Sequence, residues 1–357
     1  MAEALPPRPH LGWLKNAAKE RLASLRASRP DAKLADAQLD VARRYGFASW
    51  RALKARIDSL APPTDEARRN ELLTAFRGAI GRGDVQVVRA LLDEEPVIAA
   101  AINEPIFAFG GRPIGAASRH HDLVDLLIEY GADINLKSDW WAGPWGILDN
   151  AEPADAEFLI SRGATVDVFA AAHLNKLDRL RELLDADPQL VHAKGGDGCR
   201  PLHYARSEAA IDLILSCGAE IDARDVDHEA TAAQWMLPNP PGGRYGLPWQ
   251  RCMELIRHLV SRGATPDVFI ACARDDVARL KSIIDSDPTA LDAVVGQPGY
   301  APCPVAPGRF IYVYVLGDGA TPFDVAATHG SKACMELLNE RATPKQRLLG
   351  ALREVMH

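Results

Sequence analysis

The chain repeats itself along its length. Residues 167–188 align without a gap with residues 267–288, at a constant offset of 100 residues. A weaker copy at residues 76–96 ends in the same pattern, two aliphatic residues, Asp, two variable residues and Pro. Such units bury their apolar faces only by stacking on their neighbours, so the repeats predict a solenoid.

Start and stop signals divide this solenoid into helices. Helix start signals lie at Arg112-Pro113, Arg200-Pro201 and Thr321-Pro322, because proline fixes φ for the first helical turn. Glycines follow Leu- and Ile-rich stretches, where glycine accepts the left-handed conformation that ends a helix. These glycines are Gly131, Gly163, Gly218 and Gly263.

One unit carries a recognisable motif. Residues 198–205 read Gly-Cys-Arg-Pro-Leu-His-Tyr-Ala, and residues 211–222 read Ile-Asp-Leu-Ile-Leu-Ser-Cys-Gly-Ala-Glu-Ile-Asp. This segment resembles an ankyrin repeat, with Arg200 in place of the usual threonine. The resemblance covers about residues 70–341 and implies an all-α solenoid of stacked helix–turn–helix units joined by hairpin loops. About eight units are expected, starting near residues 70, 111, 140, 167, 197, 228, 267 and 319.

The chain is predicted to have two parts. Residues 1–60 contain 12 Lys and Arg against 6 Asp and Glu, so the remaining residues carry a net charge of −13. A basic helical segment is expected at 1–62. It resembles leaders that precede ankyrin arrays in bacterial proteins, and we expect it to cap the first repeat. The solenoid is expected at 67–357, with a capping helix at 344–356. Helices of the basic segment are predicted at 11–28, 34–45 and 48–60.

Several functional classes find no signal in the sequence. No run of about 18 apolar residues is present, and no secretory signal is visible, so a cytoplasmic protein without a membrane span is expected. The six cysteines form no CxxC pair, and no phosphate loop or dinucleotide fingerprint occurs. We therefore expect no cofactor and no metal. Nucleic acid is not expected as a partner, because the basic segment lacks interleaved aromatic residues.

A tryptophan cluster departs from the repeat pattern. Trp140, Trp141 and Trp145 lie within six residues, where a polar hairpin is usual. Indole faces suit sugar rings and other flat, partly apolar ligands. Alternatively, the three rings fill an irregular joint between units.

An acidic hairpin is the second departure. Asp225, Asp227, His228 and Glu229 fall within five residues. In an extended hairpin Asp225 and Asp227 would point to one face, and paired carboxylates can divide acid and base roles. Alternatively, the aspartates only form turns, as is common at hairpin tips. A metal site is not predicted, because no second imidazole lies four residues away.

Two insertions are the third departure. One occupies residues 238–249 and carries Tyr245 and Trp249; the other occupies residues 296–317. The second insertion ends in a β-like run in which Tyr312 and Tyr314 would share a face. These loops could wall a groove, or they could pack on themselves.

Besides a DNA-linked regulator that would use the basic segment, two functions remain open from the sequence, and the chain is not assigned as an enzyme. The first is an ankyrin-type scaffold that holds a protein partner in its concave groove. The second is a carbohydrate-like ligand binder, or a hydrolytic or lyase enzyme, with catalytic residues in the acidic hairpin. The candidate ligand-binding residues are Trp140, Trp141, Trp145, Trp235, Tyr245, Trp249, Tyr312 and Tyr314.

Overall fold

The computed structural model describes most of the chain. The described residues are 3, 5, 11–60, 65–240, 242–243, 246–297, 310–344 and 346. They divide into two compact units, Met1–Leu72 and Leu73–His357. The predicted boundary near residue 62 falls in a stretch outside the described residues and stays a prediction. So do Tyr245 and most of the predicted capping helix at 344–356.

The first unit contains three helices close to the predicted positions. They are α1 (Leu11–Ser28), α2 (Leu34–Arg44) and α3 (Trp50–Leu60). Ser49 precedes α3, and its hydroxyl accepts a hydrogen bond from the Ala52 amide at 3.2 Å, as expected of an N-cap. The core of this unit is formed by apolar side chains from all three helices, Leu14, Val41, Ala42, Leu53 and Ile57.

The second unit is a series of short helices. α4 (Asp65–Arg82) contains the boundary between the units. The helices that follow it are α5 (Val85–Glu94), α6 (Pro96–Ala100), α7 (Pro113–Ala116), α8 (His121–Glu129), α9 (Pro153–Ser161), α10 (Val168–His173), α11 (Leu177–Ala186), α12 (Pro201–Tyr204), α13 (Glu208–Ser216), α14 (Ala232–Met236), α15 (Trp249–Ser261), α16 (Val268–Ala273), α17 (Val277–Ser286), α18 (Tyr312–Val315), α19 (Pro322–His329) and α20 (Lys332–Arg341). Short 3-10 turns lie at Ala108–Gly110, Pro188–His192, Gly196–Gly198 and Pro288–Asp292.

These helices pack as pairs, a short first helix followed by a longer second one. The first helices stack on each other, as α10 on α12 and α12 on α14, and the second helices stack alongside, as α11 on α13. Each first helix is covered on several sides, which is why α10 contains the small buried residues Ala170, Ala171 and Ala172. The second helices bury one stripe, as Leu180 and Leu184 do in α11.

The 100-residue repeat has a common structural basis in its two best copies. Asp167 caps α10 by accepting hydrogen bonds from the Phe169 and Ala170 amides at 3.0 Å. Asp267 caps α16 in the same way, accepting from the Ile270 amide at 2.9 Å. The aspartate that opens each aligned segment is therefore a helix N-cap.

The prediction of a β-like run at the end of the second insertion is wrong. Its last residues form the helical turn α18, since a short apolar run fits either a strand or a buried helix, and the described solenoid offers no strand to pair with it. Tyr312 and Tyr314 consequently face different ways. Tyr312 is buried, and its hydroxyl donates to Asp267 Oδ2 at 2.9 Å, whereas Tyr314 is 62% exposed.

No helix in the described part of the chain combines the length and apolar character needed to cross a lipid bilayer.

The buried carboxyl of Asp149 predicts a pH-dependent stability. Burial, with a smaller effect from Asp167, raises its pKa from the ordinary 3.8 to about 7, while the Gly146 amide donates to it at 2.8 Å. The folded chain thus holds this proton more tightly than the unfolded chain does. The resulting stabilisation is complete below pH 3.8 and is lost as the pH rises to about 7.

Asp149→Asn removes this titration. Relative to wild type, its free energy of unfolding should rise by about 3 kcal/mol between pH 4.5 and pH 8, since each pH unit in this window corresponds to about 1.4 kcal/mol. Urea unfolding at several pH values measures the difference. Asp122→Asn, which removes an exposed carboxylate at the start of α8, is the control for the loss of one charge. A difference that does not vary with pH would contradict the raised pKa.

Candidate functional site

The hairpin loops before the first helices lie side by side at their tips. The Asp139 amide donates to the Gly110 carbonyl oxygen at 3.0 Å. The Val226 and Asp227 amides donate to the Asp197 carbonyl oxygen at 2.9 and 3.1 Å. Backbone hydrogen bonds therefore join the tips of neighbouring repeats, and side chains from different repeats meet there.

Two glycines allow this close approach. Gly198 has a φ of +73°, and a Cβ there would lie 2.4 Å from Cγ2 of Val226 in the next tip. A Cβ on Gly196 would lie 2.0 Å from the Trp145 ring. Trp145 therefore lies directly against the backbone of the tip that carries Asp197.

A buried cluster of two carboxylates and an imidazole forms where two tips meet. One ligand atom from each of Asp197, Asp227 and His228 lies within 4.8 Å of the others. Nε2 of His228 is 4.0 Å from Oδ2 of Asp227. Asp227 and His228 come from the predicted acidic hairpin, whereas Asp197 comes from the tip of the preceding repeat.

Asp225 supports this cluster from behind. Its carboxylate accepts hydrogen bonds from the His228 amide at 2.6 Å, the Ala230 amide at 2.9 Å and Nε1 of Trp235 at 2.8 Å. Burial would raise the pKa of Asp225, but these hydrogen bonds and the His228 side chain hold it below its usual value. Asp225 thus stays ionised and fixes the shape of the hairpin.

The cluster residues influence each other's protonation. Burial lowers the pKa of His228, but the contact with Asp225 and the charges of Asp197 and Asp227 outweigh burial, so the net pKa is raised. Burial raises the pKa of Asp197 to about 6, with His228 acting in the opposite direction and Asp227 adding to the rise. An imidazole and a carboxyl that both have raised pKa values therefore lie side by side.

Aromatic rings border the cluster. Trp235 and Tyr314 meet the His228 ring edge-on, at centroid distances of 5.1 and 5.7 Å. Trp140 interacts with the Asp197 carboxyl and packs edge-on against Phe109 at 5.0 Å. We call the following set the tip face: Phe109, Trp140, Trp141, Asp197, Asp227, His228 and Tyr314.

A cleft of about 550 Å³ opens beside the tip face. It lies between α7 and the segment at 145–151, on the side of the hairpins and first helices. Its lining combines aromatic and charged side chains, among them Phe107, Phe109, Arg112, Arg119, Trp145 and Asp197. The cleft therefore connects the tryptophan cluster with one carboxylate of the buried cluster.

The structure brings together most of the predicted site residues. Trp140, Trp141, Trp145, Asp227, His228, Trp235 and Tyr314 lie at or beside the tip face. Asp225 lies behind it. Three other candidates do not join it. Tyr312 is buried against Asp267, Trp249 packs near His329 at 6.0 Å, and Glu229 is not part of the buried cluster.

Asp197 was missed from the sequence. The available signal was Gly196-Asp197-Gly198, a turn sequence that directly precedes the ankyrin-like helix start at Arg200-Pro201. Asp197 has a φ of +56°, a conformation that Asp and Asn tolerate better than most residues. Each hairpin must be considered with its neighbour for this residue to be found.

Comparison with known proteins finds similarity to ankyrin repeats. The model of the ankyrin repeat family matches residues 115–139, which include α8 and the hairpin that follows it. The ankyrin repeat domain of human ASB11 is similar at 19% identity, covering 54% of this chain and 83% of that domain, with a TM-score of 0.28.

Curated relatives align over part of their length. Serine/threonine-protein kinase VIK of Arabidopsis thaliana is 42% identical over 57 residues, covering 15% of this chain and 13% of the relative. Ankyrin repeat and SAM domain-containing protein 6 of Mus musculus is 24% identical over 220 residues, covering 59% of this chain and 23% of the relative. This chain thus spans less than a quarter of either relative. The family match and the stacked helix pairs confirm the resemblance seen in the sequence: the chain contains ankyrin repeats.

Proposed function

We propose that the protein is a binding scaffold that holds a protein partner against its tip face and the adjoining cleft. The observation that carries the proposal is where apolar surface is exposed. Phe109 and Trp141 are 60% and 55% exposed. Leu136 is exposed beside Phe109 in the cleft lining, and Tyr314 is exposed beside His228. Large apolar side chains left open to solvent on one face are typical of interaction sites.

The charge of the solenoid favours a basic partner. The residues after the first 60 carry a net charge of −13. Complementary charge steers association and fixes register, while aromatic side chains supply most of the contact energy. The segment that binds should therefore combine Lys or Arg with a large apolar side chain that enters the cleft.

Affinity capture with matched variants tests this proposal. The double variant Phe109→Ser/Trp141→Ser removes the two exposed rings. The control variant Val87→Ser removes an exposed apolar side chain from α5, away from the tip face. Quantitative proteomics of a lysate of the source organism should give a protein retained by wild type and Val87→Ser. Its recovery should fall at least tenfold with the double variant, since loss of an interface hot spot costs about 2 kcal/mol or more. Equal recovery with all three baits would overturn the proposal.

The carbohydrate alternative is weaker. None of the relatives reported above has a name that describes a carbohydrate-active protein. Glu229, a candidate catalytic residue of the acidic hairpin, also lies outside the buried cluster.

A further inference from the structure

The buried cluster has the donor set of a transition-metal site. Asp197 and Asp227 supply carboxylate oxygens and His228 supplies an imidazole nitrogen, within 4.8 Å of each other. Ligand atoms at about 2.1 Å from a tetrahedral ion lie about 3.4 Å apart. Closing the remaining distance requires any two ligand atoms to approach by at most about 1.4 Å.

His228 is placed to bind an ion through Nε2. It is only 7% exposed, and its Nδ1 makes no hydrogen bond with any described residue. Nδ1 instead faces Oδ1 of Asp225 at 3.5 Å, and Nε2 lies on the side of Asp227. Metal-binding histidines commonly direct one ring N–H to a carboxylate and bind the ion through the other nitrogen.

Asp225 is suited to this supporting role. Three donors hold its carboxylate, so it cannot rotate toward the ion without leaving buried N–H groups unpaired. A divalent cation would offset the negative charge gathered where the two tips meet.

We propose that Asp197, Asp227 and His228 bind one divalent transition-metal ion of the Zn²⁺ or Co²⁺ type, with Asp225 positioning His228. One nitrogen and two oxygen donors suit these ions better than Ca²⁺ or Mg²⁺, which prefer oxygen ligands alone. Asp197 belongs to one repeat and the other two ligands belong to the next repeat. The ion would therefore link neighbouring hairpin tips. This site does not depend on the proposed protein partner.

A Co²⁺ titration tests the proposal on the full chain without a polyhistidine tag, after EDTA treatment and buffer exchange. Visible d–d absorption should saturate at one equivalent, without the near-ultraviolet charge-transfer band of a thiolate ligand. Calorimetry with Zn²⁺ should give the same stoichiometry. Bound metal should also raise the melting temperature, because it binds only the folded tips.

Matched variants assign the ligands. Asp197→Asn suits the positive φ at this position and removes one ligand charge, so it should fold as wild type and bind at least tenfold more weakly. His228→Gln should weaken binding similarly. His121→Gln, which removes a histidine paired with one carboxylate, Asp155, should leave the titration unchanged. The site would be overturned if no binding were seen up to a 100-fold excess of metal. Unchanged affinity in a folded Asp197→Asn variant would also overturn it.

Discussion

Replacing Asp225 with alanine should lower the melting temperature by about 8 °C. The substitution leaves three buried N–H groups without an acceptor, those of His228, Ala230 and the Trp235 indole. Each unpaired buried donor costs about 1–3 kcal/mol, so a total near 4 kcal/mol is expected. For a domain of this size, about 2 °C of melting temperature corresponds to each kcal/mol.

Two further variants define the origin of this loss. Asp225→Asn keeps the shape of the side chain, but both carboxylate oxygens accept hydrogen bonds, so its amide group must face at least one donor; an intermediate loss is expected. Glu220→Ala removes an exposed carboxylate from the same segment and should change the melting temperature by less than about 1 °C. Thermal unfolding followed by circular dichroism measures all three. If Asp225→Ala had the same melting temperature as Glu220→Ala, the Asp225 carboxylate would not stabilise the hairpin.

Gly143→Ala should destabilise the second unit by about 3 kcal/mol or more. Gly143 has a φ of +156°, and an added Cβ would lie 1.9 Å from the Gly195 carbonyl oxygen and 2.8 Å from the Gly198 amide nitrogen. Backbone atoms of these tips cannot move aside without disturbing the hydrogen bonds that join Asp139 to Gly110 and Val226 and Asp227 to Asp197. The expected loss therefore combines backbone strain with a direct overlap.

Gly163→Ala is the matched control for backbone strain. Gly163 also has a positive φ, +97°, but an added Cβ would meet nothing within 4 Å. It should cost only about 1 kcal/mol. Urea unfolding of both variants separates the two contributions. Equal losses would show that the tips at residues 143 and 195 are not packed as closely as described.

Local signals in the sequence predicted the scaffold well. Pro201 begins α12, Gly218 follows α13, and the aligned Asp167 and Asp267 both cap first helices. These features depend on residues a few positions apart, so the sequence contains them directly.

The candidate site was only partly predictable. The acidic hairpin and the tryptophan cluster were found because each is compact in sequence. Asp197 was missed because its contact with Asp227 and His228 arises from stacking of successive units. Tyr312 and Tyr314 were assigned to one face because a strand was expected, and the helical turn α18 separates them.

Site-specific photo-crosslinking tests most directly whether the tip face is the binding surface. Benzoylphenylalanine replaces Phe109 or Tyr314, both aromatic and exposed, and in a third protein it replaces Val87 on α5. After irradiation in the source organism, the account predicts one discrete protein adduct from Phe109 and Tyr314 and none from Val87. Adducts from Val87 alone, or from all three positions equally, would contradict it.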